Sequence, residues 1–111
     1  MNYRKHLSEP WFSLVKLGIK TVEGRLNKGV FSKMKVGDTI TFYNDDFIPR
    51  EMTVTVKDIK YYRNFREYLE NETLNVTLPG FTSMEDGLCV YYKYFSKKEE
   101  DTYNVIALCF N

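Results

Sequence analysis

The chain reads G-I-K-T-V-E-G-R at residues 18–25, a stretch in which charged residues alternate with small and apolar ones. Lys20, Glu23 and Arg25 bring charges of both signs into six positions, directly after an apolar segment with helical spacing. Residues 36–42 then read V-G-D-T-I-T-F, the pattern of a turn followed by a buried strand. A lysine, a glutamate and an arginine held this close to a predicted core can form a small polar site.

The charged stretch itself is predicted to be a short strand. In an extended chain Thr21, Glu23 and Arg25 share one face, because side chains alternate. Lys20 lies at the corner before the strand, where alternation is not strict, and can turn in beside Glu23. Gly24 has no side chain and allows another backbone or a flat ligand to approach closely. The alternative is an edge strand with a solvated charged face, since edge strands often carry charge to prevent pairing.

Turns divide the remaining chain into short elements. Strands are predicted at residues 39–43, 52–59 and 103–110, with a further short one near 30–31, and helices at 8–17, 65–72 and from 83 to about 95. Ser8 is predicted to cap the first helix, with Pro10 in its first turn. Most strands are joined by tight turns, which disfavours a parallel doubly wound sheet and favours a small, strongly bent sheet or barrel.

Size and composition predict one domain with a well-filled core. The chain has 111 residues, and its nine Tyr, eight Phe and one Trp supply enough large side chains to fill a core and to line a pocket. Its 16 Lys and Arg residues nearly balance its 15 Asp and Glu residues. That balance argues against strong sequence-independent binding of duplex nucleic acid and leaves room for a local basic cleft.

Metal, cofactor and membrane functions are not predicted. His6 is the only histidine, and Cys89 and Cys109 show no metal-ligand spacing, so no metal and no cofactor are expected. The two cysteines are expected to be reduced, buried thiols. No run approaches the roughly 20 apolar residues of a membrane span, and no signal-peptide pattern is present, so a cytoplasmic location is expected.

The order G-x-K-T-x-E-x-R followed by V-G-D-x-I-x-F resembles the ASCH domain family, a branch of the PUA-like folds. Further similar segments lie along nearly the whole chain, at residues 6–7, 10–12, 79–80, 83–87, 91–100 and 105–108. The resemblance implies an α+β fold, a small PUA-like β-barrel of about five to six mostly antiparallel strands with about two to three flanking helices. It also implies that residues 1–111 form a single ASCH domain, with an opening strand at His6-Leu7.

The resemblance further implies a cleft, lined by Lys20, Glu23 and Arg25, that suits RNA or modified nucleosides. Some family members resemble amidohydrolases that remove the acetyl group from N4-acetylcytidine. In that branch the lysine matching Lys20 is catalytic and acts with a threonine three residues later, where this chain has Glu23. The branch also uses a mid-chain glutamate, to which Glu70 or Glu72 would correspond. The alternative for both is a solvated acid at a helix end.

The first functional hypothesis is a monomeric binding module for single-stranded RNA or a modified nucleoside. The predicted binding residues are Lys20, Thr21, Glu23, Arg25 and Tyr43. Lys20 and Arg25 would meet phosphate or base acceptors, and Glu23 would accept hydrogen bonds from an exocyclic amine or a ribose. An aromatic ring, from Trp11, Tyr43 or Tyr61, would stack on a base. Core filling is the alternative for each ring.

The second hypothesis is a small amidohydrolase acting on an N4-acylated cytidine. Amide cleavage needs an activated water or nucleophile and a stabiliser for the developing oxyanion. Lys20 and Glu23 are the predicted catalytic residues. Either Glu23 is the general base while Lys20 or Arg25 holds the oxyanion, or a neutral Lys20 is the base. A ribonuclease that uses the same cleft is a further alternative.

A basic and aromatic stretch at residues 57–66 is another candidate for RNA contact. Its cations are Lys57, Lys60, Arg63 and Arg66, and its aromatic residues are Tyr61, Tyr62 and Phe65. The alternative is a solvated, charged surface.

Overall fold

Five strands form one sheet in the computed structural model, which describes residues 1–110. The strands are β1 (Asn2–His6), β2 (Val22–Leu26), β3 (Thr39–Asn44), β4 (Arg50–Tyr62) and β5 (Val105–Phe110). The helices are α1 (Trp11–Lys16), α2 (Phe65–Glu72), α3 (Leu74–Thr77), α4 (Met84–Tyr92) and α5 (Lys97–Tyr103), with a 3-10 turn at Gly29–Lys33.

The sheet curls into a half-barrel whose strand order is β1-β3-β4-β5-β2. β1 runs parallel to β3, and the other three pairs are antiparallel. The order leaves β1 and β2 as the two edge strands, so they border the open side of the half-barrel. The predicted α+β fold, PUA-like barrel and mostly antiparallel sheet are confirmed, with five helices in place of the expected two to three.

The core lies on both faces of the sheet, and β5 shows why. Its sequence, V-I-A-L-C-F, is apolar without alternation, as expected for a strand that is covered on both sides. Ile106 and Leu108 pack into one cluster with the alternating residues Ile40 and Phe42 of β3. Val105 and Ala107 pack into a second cluster, beneath the helices. The helical face of the sheet therefore holds β2 against α2 and α4.

Several local predictions were wrong, for identifiable reasons. Ser8 does not cap α1, because the Glu9 carboxylate accepts the Ser13 backbone N–H instead, at 3.0 Å. Residues 30–31 lie in the 3-10 turn. The long helix predicted from residue 83 is two helices, since Ser96 and Glu99 form a capping box that starts α5. The Ser83 cap of α4 is confirmed.

The cysteines and the helix lengths bear on the expectations of reduced, buried thiols and of no membrane-spanning segment. Cys89 and Cys109 are not joined in a disulfide. The expected burial was wrong for Cys89, which is exposed on α4, and Cys109 is only partly buried. Within residues 1–110, none of the helices has the length and apolar character needed to cross a bilayer.

Candidate functional site

A cavity of about 680 Å³ lies in the open side of the half-barrel, between the edge strands β1 and β2. β1 contributes Arg4, Lys5 and His6, and β2 contributes Glu23, Gly24 and Arg25. The remaining lining residues are Leu7, Ser8, Trp11, Lys20, Tyr43, Leu78, Val90, Tyr91, Tyr94 and Phe95. The cavity therefore combines cations, one carboxylate and several aromatic rings.

Three of the predicted site residues form one charged cluster in this cavity. The Nζ atom of Lys20 lies 3.4 Å from Oε1 of Glu23, and Nη2 of Arg25 lies 3.3 Å from Oε2 of the same carboxylate. The Lys20 side chain is 1% exposed and that of Glu23 8%, whereas Arg25 is 25% exposed. Glu23 thus bridges a buried cation and an accessible one.

Lys20 is anchored by more than the carboxylate. Its Nζ donates to the backbone oxygen of Val22 at 2.7 Å and to that of Thr77 at the end of α3. With Glu23, these partners match the three N–H donors of an ammonium group, whereas a neutral amine has only two. The geometry therefore favours the charged form of Lys20, which ties α3 to the start of β2.

The burial and the charges of this cluster shift both pKa values. Burial lowers the pKa of Lys20; Glu23 opposes that shift and Arg25 adds to it. Burial alone would raise the pKa of Glu23, but Lys20 and Arg25 outweigh it, so the pKa of Glu23 is lowered. Glu23 is therefore a carboxylate at neutral pH. It is a good hydrogen-bond acceptor and a weak general base.

Glu23 should make stability depend on pH in the acid range. Because its folded-state pKa lies below the ordinary 4.5, the unfolded chain binds the proton more readily, and the stabilisation present above pH 4.5 is lost as the pH falls through the folded-state pKa. We expect Glu23→Gln to have a flatter profile of unfolding free energy against pH below 4.5 than the wild type. Urea titrations at successive pH values measure this. Parallel profiles would contradict the assignment.

Tyr43 also lines the cavity, while Thr21 does not. The guanidinium of Arg4 lies 4.6 Å from the Tyr43 ring centroid, and the His6 ring meets the same ring edge-on at 5.4 Å. Thr21 instead bonds through its backbone, donating to Val76 and accepting from Phe110. Of the five predicted binding residues, the structure thus brings four to one cavity.

The other aromatic and acidic candidates separate into two groups. Trp11 lines the cavity, with Nζ of Lys20 5.7 Å from its ring centroid. Tyr61 is exposed on β4, outside the cavity lining. Glu70 is exposed, and Glu72 accepts a hydrogen bond from the Tyr62 hydroxyl. Neither glutamate lines the cavity.

Gly24 lines the cavity and also allows the ring of Tyr68 to approach the β2 backbone closely. A Cβ atom at this position would lie 2.5 Å from Cζ of Tyr68. The Tyr68 hydroxyl lies 3.1 Å from that of Tyr91, which lines the cavity. Burial raises the pKa of both phenols, so both stay protonated. Gly24 therefore lets a buried tyrosine pair support the cavity floor.

Sequence reasoning missed the contributions of β1 and of the segment after α4. Arg4 and Lys5 were not assigned, because a charged five-residue strand gives little periodic signal. Tyr94 was predicted to lie in the last turn of a helix that runs to about residue 95, although it follows the end of α4 and is 60% exposed. The only hint was the similarity of residues 91–95 to the family.

The basic stretch at residues 57–66 behaves as a charged surface. Lys60, Arg63 and Arg66 lie 3.5, 3.0 and 2.9 Å from the carboxylates of Glu72, Glu67 and Glu85. Phe65 is fully buried. The part of the chain that the structure describes contains no group of three or more His, Cys, Asp or Glu side chains placed to hold a metal ion.

Comparisons with known proteins agree with this architecture. The sequence profile of the ASCH domain matches residues 6–110. The crystal structure of hypothetical protein PH0355 is similar over 100% of this chain and 98% of its own, with 34% identity and a TM-score of 0.90. The solution NMR structure of protein PF0455 from Pyrococcus furiosus covers 100% and 96%, with 36% identity and a TM-score of 0.81. A comparison with curated proteins gives no match.

Proposed function

This chain belongs to the ASCH domain family, and we propose that its cavity binds single-stranded RNA or a modified nucleoside. Membership of the family implies RNA binding or a related function in general. The observation that carries the finer proposal is the cavity between β1 and β2, which four cationic side chains, several aromatic rings and one ionised carboxylate line together.

Each component of the cavity suits part of such a ligand. The exposed ring of Tyr94 and the ring of Trp11 offer stacking surfaces, which accept any base. Glu23 accepts hydrogen bonds from an exocyclic amine or a ribose hydroxyl. Arg25, the accessible cation of the cluster, donates to phosphate or base oxygens. Tyr43 lines the same cavity and offers a further contact, while the buried Lys20 holds the Glu23 carboxylate in position.

Arg25→Gln tests this proposal with little risk to the fold, because the side chain is partly exposed. We expect Arg25→Gln to bind a short mixed-sequence single-stranded RNA about tenfold more weakly. The slope of log affinity against log salt concentration should decrease by about the value for one phosphate contact. Fluorescence anisotropy at several salt concentrations measures both quantities. Arg63→Gln is the control, since Arg63 pairs with Glu67 outside the cavity and its loss should change neither.

Titration of the wild type decides the proposal itself. The ligands are the same RNA, the four common ribonucleosides and N4-acetylcytidine. Binding of the nucleosides, N4-acetylcytidine included, is measured by calorimetry. An absence of binding to all of them would refute the proposal. Equal losses of RNA affinity in Arg25→Gln and Arg63→Gln would show that the cavity is not the binding site and would point to the basic stretch at residues 57–66.

A second candidate is hydrolysis of an N4-acylated cytidine in the same cavity. The adjacent ammonium of Lys20 and carboxylate of Glu23 favour it, since they pair an oxyanion donor with a base. The lowered pKa of Glu23 and the fully engaged donors of Lys20 make binding the better-supported function. Chromatography of N4-acetylcytidine incubated with the protein distinguishes them, since conversion to cytidine would establish the hydrolase.

A further inference from the structure

The cavity concentrates positive charge in a chain that is nearly neutral. Four lining side chains are cationic, Arg4, Lys5, Lys20 and Arg25, and only Glu23 is anionic, so the lining carries +3 with His6 neutral. The whole chain has a formal net charge of +1, which leaves the other residues at −2. A surplus of cations confined to one cavity attracts an anionic ligand.

In the inner cluster, the donors of Lys20 are fully engaged and Arg25 gives part of its guanidinium to Glu23. Lys20 donates to two backbone oxygens and faces Glu23, and Arg25 shares the same carboxylate. Arg4, on β1, differs because its partner Glu51 is 60% exposed and it is itself 57% exposed, with 2.8 Å between Nη1 and Oε2. Such an exposed pair is weak, so a ligand can replace the Glu51 carboxylate.

Two cavity-lining side chains of β1, Arg4 and His6, contact the same tyrosine ring. Arg4 and His6 alternate onto the same face of β1, and His6 is in register with Tyr43 on β3. The Tyr43 ring contacts the Arg4 guanidinium at 4.6 Å and the His6 ring at 5.4 Å. Both side chains thus contact one ring, and a planar guanidinium and an imidazole are both groups that bind phosphate.

We propose that this cavity takes a ligand bearing a phosphate group, with Arg4 and His6 binding the phosphate, rather than a neutral nucleoside. This inference rests on the proposed function and narrows it to nucleotides. Tyr43 then positions Arg4 and His6 through contacts with its ring. The bases stack elsewhere in the cavity, on the rings of Tyr94 and Trp11. The phosphate belongs either to a mononucleotide or to an RNA backbone, which share this chemistry.

Calorimetric titration of the wild type, Arg4→Gln and Arg66→Gln tests the inference. Arg66 is the matched control, because it is 50% exposed and pairs with Glu85 at 2.9 Å, outside the cavity. The ligands are the four common ribonucleosides, their 5′- and 3′-monophosphates, inorganic phosphate and a short single-stranded RNA. We expect a monophosphate or the RNA to bind the wild type about tenfold more tightly than the nucleosides. That advantage should fall to about twofold or less in Arg4→Gln and persist in Arg66→Gln.

The outcomes separate this inference from the proposed function. A loss in Arg4→Gln for monophosphates identifies a mononucleotide site, and a loss for RNA alone identifies the backbone as the source; both support the inference. Nucleosides that bind as tightly as their phosphates, or equal losses in both variants, would overturn it and leave the proposed function standing. If the wild type binds no ligand, both fail. Thermal melts establish that each variant is folded.

Discussion

Replacing Lys20 by methionine is expected to lower the free energy of unfolding by about 3 kcal/mol or more, since removing one partner of a buried ion pair leaves the other uncompensated. The substitution keeps the unbranched chain out to Cε but removes Nζ and with it all three donors. The backbone oxygens of Val22 and Thr77 lose their partner, and Glu23 keeps only Arg25. Urea denaturation followed by circular dichroism measures the loss.

Two further variants identify the cause of that loss. Lys16→Met removes an exposed lysine from α1 and should change the free energy of unfolding by no more than about 0.5 kcal/mol. The double variant Lys20→Met/Glu23→Gln removes both buried charges, so its loss should be smaller than the sum of the single losses by about 1 kcal/mol or more. Strict additivity would mean that Lys20 acts through its backbone partners alone.

The elements that sequence predicted best are those whose signal is local. β3 alternates fully buried and partly buried residues, and β5 is continuously apolar, so each could be recognised without knowing its neighbours. The charged stretch leading into β2 was predicted as a short strand whose Lys, Glu and Arg can form a small polar site close to the core. Glu23 supplies that partner to Lys20 and Arg25.

The part of the cavity contributed by β1 could not be predicted in the same way. β1 pairs with β3 across 37 positions of sequence, and that parallel pairing alone brings Arg4 beside Tyr43. Nothing in the local sequence of β1 shows that this strand will lie at the edge of the sheet, across the open side of the half-barrel from β2. Tyr94 is a similar case, because its exposure depends on α4 ending two residues earlier. Strands and helices can be predicted from short-range patterns. The cavity depends instead on long-range strand pairing, which decides which strands lie at the edges of the sheet.

Gly24→Ala is the second substitution with a large expected effect, at about 3 kcal/mol of lost unfolding free energy, the upper part of the usual range for overpacking. The added Cβ would lie 2.5 Å from Cζ and 2.6 Å from Cε2 of Tyr68. That ring has little room to move, because Tyr68 is fully buried, contacts Phe65 edge-on and lies 3.1 Å from the Tyr91 hydroxyl. Chemical denaturation measures the loss.

Steric conflict with Tyr68, rather than backbone strain, must explain that loss. Gly80→Ala provides the comparison, because Gly80 has a φ of +95° and nothing within 4 Å of the added Cβ; it should lose only about 1 kcal/mol. Tyr68→Leu makes room beside Gly24, so the double variant Gly24→Ala/Tyr68→Leu should be more stable than the two single losses together imply. Since Tyr91 lines the cavity floor, Gly24→Ala should also weaken RNA binding where Gly80→Ala does not. Additive losses would show that the loss in Gly24→Ala does not come from conflict with Tyr68, and unchanged binding would show that the cavity is unaffected.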